Sequence, residues 1–317
     1  MNRRKFMIKS ILGAGGIATF SIFRCRKQKR SEDYPIPRRK LGRTGEMLSI
    51  IGFGGIVVKD EEQSVANTRV AEAFDRGINY FDVAPTYGNA EERLGPALKP
   101  YRKRCFLACK TTQRGREGAE RELNASLTKL QTEHFDLYQL HALTTKEDVE
   151  KAFGPEGAME TFLKAKQDGK VRFLGFSAHS EEAALMAMEK HDFDTVLFPI
   201  NFVCWYRGDF GPRIVSKAKE KQMGILALKA LAFTRITEGV ENPYKKLWYK
   251  PIEDEETSRL ALRFTLSQGT TAAIPPGENK FFQRALDIAE AYSPINDEEL
   301  KILQDLSDGV EPIFRTG

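Results

Sequence analysis

The chain has 317 residues, 41% of them hydrophobic and 29% charged, with 49 Lys and Arg against 44 Asp and Glu for a formal charge of +5. This composition excludes a wholly disordered chain, and the length allows one large core of about 250 residues with additions. A nucleic-acid surface is excluded too: residues 1–30 hold nine basic residues and no acidic ones, so the remainder has 40 basic against 44 acidic residues, net −4.

Near its start the chain reads Asn2-Arg3-Arg4-Lys5-Phe6, with an uncharged run over 11–23. This pattern resembles a twin-arginine export signal. Thirteen residues fall short of the roughly 20 that span a bilayer as a helix. Residues 1–30 are therefore expected to form a short leader helix, either an export signal or a retained anchor. Its partners would be the twin-arginine export machinery or a membrane, and the location periplasmic or membrane-associated. Residues 31–317 form the second expected domain. Cys25, Cys105, Cys109 and Cys204 lack CxxC spacing and zinc-type clustering, which predicts packed free thiols and no metal.

Beyond Pro35 and Pro37, residues 39–49 carry Gly42 and Gly45 and suit a short β-hairpin. Eight apolar runs of strand length follow, at 50–54, 78–83, 105–110, 135–140, 171–176, 195–200, 224–229 and 270–274. Segments with helical spacing separate them, at 65–76, 117–130, 158–167, 181–190, 213–221, 257–267 and 281–290. Eight strands alternating with helices predict an α/β fold, a (β/α)8 TIM barrel preceded by the hairpin. An open doubly wound sheet would usually place a GxGxxG turn after its first strand, and Ile51-Gly52-Phe53-Gly54-Gly55-Ile56 lacks that spacing. The 230–254 connection is long and contains Phe233, Tyr244, Trp248 and Tyr249, which predicts a substrate cover.

Four polar residues, Asp82, Tyr87, Lys110 and His141, fall at or just past the ends of three successive runs. In a barrel these ends open on one face, so the side chains are expected to converge. An ammonium near a phenol lowers the phenol's pKa, a carboxylate steadies the ammonium, and an imidazole can orient a carbonyl by donating a hydrogen bond. Each has a plainer use when taken singly: helix cap, loop packing, solvated charge or core hydrogen bonding.

The segments Leu41-Gly42-Arg43-Thr44-Gly45, Asp82-Val83-Ala84-Pro85-Thr86-Tyr87-Gly88, Lys110-Thr111, Leu140-His141, Gly175-Phe176-Ser177 and Ile274-Pro275-Pro276-Gly277, in this order, resemble the aldo-keto reductase superfamily over about residues 38–290. The resemblance implies a barrel that binds NADP or NAD and transfers hydride to an aldehyde or ketone. Tyr87 would be the general acid, Asp82 and Lys110 its tuning pair, and His141 the carbonyl orienter. Gly54, Gly55, Ser177, Asn201, Lys229, Pro275 and Gly277 are the candidate cofactor contacts, with Ser177 alternatively capping the helix that begins near Glu181.

Departures from the family pattern gather around the cofactor. Ala178 and His179 follow Ser177 where an asparagine is common, and Leu197 and Leu228 stand where many members place a glutamine and some a stacking tyrosine. Pro276 and Gly277 replace a Lys-Ser pair near the adenosine 2′-phosphate; Phe282 replaces a frequent arginine, with Arg284 two residues on. These departures support an alternative from another class, a cofactor-binding regulatory or interaction subunit with little turnover.

Overall fold

Each of the eight apolar runs contributes a strand to one parallel sheet. The computed structural model describes residues 35–237 and 239–316, so the 1–30 leader and its expected helix lie outside the described residues. A hairpin of β1 (Arg38–Lys40) and β2 (Met47–Ser49) precedes β3 (Phe53–Gly54), α1 (Gln63–Asp75), β4 (Tyr80–Asp82), α2 (Ala90–Leu98), β5 (Phe106–Thr111), α3 (Arg116–Lys129) and β6 (Phe135–Leu143). Next come α4 (Lys146–Phe153), α5 (Ala158–Gln167), β7 (Val171–Ala178), α6 (Glu181–Lys190), β8 (Thr195–Pro199), α7 (Phe202–Gly208), α8 (Pro212–Glu220) and β9 (Gly224–Leu228). The antiparallel pair β10 (Ala232–Arg235) and β11 (Tyr249–Pro251) interrupts the alternation before α9 (Glu255–Ser267), β12 (Ala272–Ile274), α10 (Asn279–Glu290) and α11 (Asp297–Leu306).

The sheet order is β12-β9-β8-β7-β6-β5-β4-β3, and a parallel bridge between Ile51 and Ala273 brings its two edges together. The Gly52 amide donates to the Ala273 carbonyl at 3.0 Å, and the Ala273 amide to the Ile50 carbonyl at 2.9 Å. A closed ring leaves no strand edge to pair elsewhere, and helices cover its outer face. Parallel strands covered on both faces need apolar residues throughout, which is why they read as runs in the sequence. Among the described residues no helix is long and apolar enough to cross a membrane.

Side chains alternate between the inner and outer faces of each strand. The inner set includes Tyr80, Phe106, Ala108, Leu137, Leu197, Leu226 and Ala272, and it packs with Leu41 and Leu48 from the hairpin. That hairpin plugs the end where the strands begin. At Gly42, with φ +48°, a β-carbon would lie 2.3 Å from the Gly224 nitrogen, so only glycine brings the hairpin this close to β9. The opposite end stays open.

Candidate active site

Following the same alternation upward moves from apolar to polar residues. Two positions beyond Tyr80 on β4 is Asp82; beyond Phe106 and Ala108 on β5 is Lys110; beyond Leu137 and Gln139 on β6 is His141. Tyr87 comes from the loop after β4. With Ser177 and His179 from the end of β7, all of these line a cavity of about 250 Å³ whose floor includes Leu197, Leu228 and Ile274. Gly54, Lys229, Pro275 and Gly277 line it as well. Gly55 and Asn201 correct the sequence reading. Neither lines the cavity: a β-carbon at Gly55 would meet Val83 at 2.7 Å, and Asn201 caps α7, its Oδ1 accepting from the Cys204 amide at 2.9 Å.

Lys110 is 1% exposed, and its Nζ donates to the Asp82 carboxylate and, at 3.2 Å, to the Val83 carbonyl. Gln139 Nε2 donates to the other Asp82 oxygen at 3.1 Å and Tyr80 Oη at 3.3 Å, so the carboxylate is fully engaged. Burial pulls the Lys110 pKa down, but Asp82 and Tyr87 outweigh it and leave it above its ordinary value. The ammonium keeps its charge. It lies 5.4 Å from the Tyr87 ring centroid, and the His141 ring meets that of Tyr87 edge to face at 6.0 Å.

The phenol departs from the sequence expectation of a lowered pKa. Burial pushes Tyr87 up, Lys110 pulls it down, Asp82 pushes it up again, and the result lies above the usual 10. Lys110 offsets part of the burial effect without reversing it, so Tyr87 stays protonated across neutral pH. Burial first, then the charges of Lys110, Arg114 and Lys229 and the neighbouring His179, bring His141 down to about 3. It is a neutral ring at physiological pH, and its Nδ1 is buried without a hydrogen-bond partner.

One supporting residue was not legible in the sequence. Arg114, in the loop after β5, donates to the carbonyls of His141 at 2.8 Å, Ala142 at 3.2 Å and Thr112 at 3.2 Å, and its Nε pairs with Asp148 at 3.0 Å. Asp148 belongs to a capping box with Thr145 at the start of α4. Ala142 takes a left-handed conformation with φ +52°, and its amide donates to Ser177 Oγ at 2.7 Å. Ser177 thus holds this bend, while Ser180 caps α6, which overturns Ser177 as the helix cap. The β6–β7 pairing is irregular between Leu140 and Leu143, where this clamp sits.

The long connection forms a strap. Its β10–β11 pair leads to Lys246, Leu247, Trp248 and Tyr249, which line the cavity. Lys246 Nζ donates across the opening to the Val57 carbonyl at 2.9 Å and to Glu61 at 2.7 Å. Phe314 packs against two of the lining residues, its ring 5.2 Å from His179 and 5.9 Å from Trp248. Arg284, two residues beyond Phe282, is held by the Glu253 carbonyl at 2.6 Å and Ser258 Oγ at 3.2 Å.

Residues 50–308 match the model of the aldo/keto reductase family. The chain belongs to the aldo/keto reductase family. A Bacillus subtilis (strain 168) relative named as an uncharacterized oxidoreductase, YqkF, is 25% identical over 302 residues, 84% of this chain and 95% of that one. An Arabidopsis thaliana relative, an L-galactose dehydrogenase, is 29% identical over 223 residues, 64% of this chain and 68% of its own. The holo form of an aldo-keto reductase from Bacillus halodurans superposes with a TM-score of 0.69 at 20% identity, covering 88% of this chain and 98% of that one. Membership makes this protein an NAD(P)H-dependent oxidoreductase.

The cavity fits one end of such a cofactor. An apolar floor of Leu197, Leu228 and Ile274 beside Ser177 and His141 suits a flat ring bearing an amide, and Gly54, Pro275 and Gly277 leave room for backbone approach. Its volume of about 250 Å³ is too small for a whole dinucleotide.

Proposed function

We propose that this protein reduces an aldehyde or ketone, with Tyr87 as the proton donor. The observation that carries this reading is the arrival of Asp82, Tyr87, Lys110 and His141, from separate loops and strands, on one cavity. When bound, the nicotinamide cofactor supplies the hydride. His141, being neutral, can donate one ring N–H to the carbonyl oxygen and fix its direction. As that oxygen gains negative charge it becomes more basic than a phenolate, and Tyr87 transfers its proton to it. The phenolate left behind faces the Lys110 ammonium, which Asp82 holds in place, so the charge is stabilised by a group already oriented. Trp248, Tyr249 and Leu247 add apolar surface to the walls of the site.

The test is oxidation of NADH and NADPH with a panel of aldehydes, comparing wild type with Tyr87→Phe. Loss of about 10²- to 10⁴-fold in kcat is expected for the variant, the usual range for one general acid. Equal and negligible rates for both proteins on every carbonyl would support the cofactor-binding subunit instead.

Pro276 and Phe282 are buried apolar residues and Arg284 is already engaged, which supports NADH serving at least as well as NADPH. Comparing kcat/KM for the two cofactors decides this. Residues 1–30 are read as an export or anchoring leader on the strength of Arg3, Arg4 and the uncharged run. Fractionation of cells making Arg3→Lys/Arg4→Lys should show the protein withdrawn from the envelope; unchanged partition would exclude a twin-arginine route.

A further inference from the structure

Three lysines, Lys110, Lys229 and Lys246, and one carboxylate, Asp82, line the cavity. Asp82 answers Lys110, and Glu61 answers Lys246. Lys229 is different: among the described residues its side chain makes no hydrogen bond or ion pair, and its Nζ rests between rings, 5.4 Å from the centroid of Trp248 and 5.1 Å from that of Tyr249. His141 and His179, which share the cavity, are held neutral and add no charge. One positive charge in the cavity therefore has no counterpart.

The chain places this lysine at some cost. Lys229 has φ +65°, a left-handed conformation that costs a side-chain-bearing residue free energy, at the point where β9 ends and the chain turns so that the Ala232 amide donates to the Lys229 carbonyl at 2.9 Å. A half-buried ammonium resting between ring faces is under-compensated, because cation–π contacts replace only part of its hydration. Burial accordingly lowers its pKa to about 8, which still leaves it mostly charged at neutral pH. A carboxylate is the group that completes such a site.

We propose that Lys229 receives the carboxylate of an acid-bearing aldehyde or ketone, whose carbonyl reaches Tyr87 and His141 in the same cavity. This rests on the reductase reading and narrows its substrate class. The cavity has to admit the nicotinamide end as well as the substrate, so the substrate is a small one. A phosphate of the dinucleotide is the other anion available to this ammonium, and the test separates the two.

The probes are 4-carboxybenzaldehyde and its methyl ester as substrates, with calorimetric titration of 4-(hydroxymethyl)benzoate and of NADH. Each is applied to wild type, Lys229→Met and Lys229→Arg, with melting curves to verify folding. In Lys229→Met the acid-to-ester ratio of kcat/KM should fall at least about tenfold, the size of one lost charge-assisted hydrogen bond. The benzoate Kd should weaken to match, the NADH Kd should move less than twofold, and Lys229→Arg should regain most of the loss. An unchanged ratio in folded Lys229→Met overturns the proposal. So does a weakened NADH Kd with acid and ester suffering equally, which would assign Lys229 to a cofactor phosphate. If wild type reduces neither aldehyde, the benzoate titration alone decides the anion site, and the carbonyl panel above separately decides the reductase reading: binding lost in Lys229→Met upholds the site, and equal Kd values sink it.

Discussion

Tyr87 and His141 titrate far from neutrality, in opposite directions, and both shifts have visible causes. Because the Tyr87 pKa lies above 10 and that of His141 near 3, the acid stays protonated and the orienter stays neutral between them. Reduction of an uncharged aldehyde should therefore hold level from about pH 6 to 9 and decline above about 10, as the phenol loses its proton. A kcat/KM profile falling through about pH 6.5 would show instead an imidazole titrating at its ordinary value. Stability carries the complementary sign. Below about 6.5 the unfolded chain binds protons at His141 and His179, while the folded protein refuses them until about pH 3 and 4. These two residues should thus subtract stability as pH falls through that window and subtract none above it. Denaturant titrations of His179→Gln at pH 7 and pH 5 measure this, and the variant should lose less stability between them than wild type.

At the scale of elements, the bend after His141 and the strap over the cavity are the parts most open to test. Arg114→Met would release the His141 and Ala142 carbonyls and strand Asp148, and displacement of a catalytic group by about 1 Å can cost on the order of a hundredfold. The expected result is a fall in kcat of about tenfold or more, with little change in the KM for cofactor and partial recovery in Arg114→Lys. Equal losses in kcat and cofactor affinity would mean that Arg114 only holds the fold. Lys246→Met removes the strap's hold on Val57 and Glu61; amide exchange over 240–250 should quicken while the barrel strands stay protected. The eight strands were readable because burial on both faces leaves continuous apolar runs, as in Phe106-Leu107-Ala108-Cys109. Helix α2 escaped notice because Gly95 and Pro96 interrupt it, and α7 because it is only seven residues long. The site was legible where chemistry sits at strand ends. Asn201 shared that position but spends its amide on capping α7, and Arg114 acts through backbone carbonyls 27 and 28 positions away, which no local pattern announces.

For the molecule as a whole, one end of the barrel is sealed so that the other can hold a polar cavity. The plug depends on glycines: Gly42 meets the start of β9, and a β-carbon on Gly224 would lie 2.4 Å from Leu41 Cδ1. Gly42→Ala should destabilise the fold by about 2–4 kcal/mol, combining left-handed strain with overpacking, while leaving kcat in the surviving folded fraction near wild type. Denaturant midpoints paired with activity per folded molecule measure both parts. At the open end the proposed reduction depends on Tyr87 giving up a proton to an oxygen that His141 has placed. The most direct measurement is a single turnover of aldehyde by protein preloaded with reduced cofactor, in H2O and D2O, for wild type and Tyr87→Phe. Wild type should show a solvent isotope effect and the variant a rate at least about 10²-fold slower at equal cofactor occupancy; identical single-turnover rates would contradict the assignment of Tyr87 as the acid.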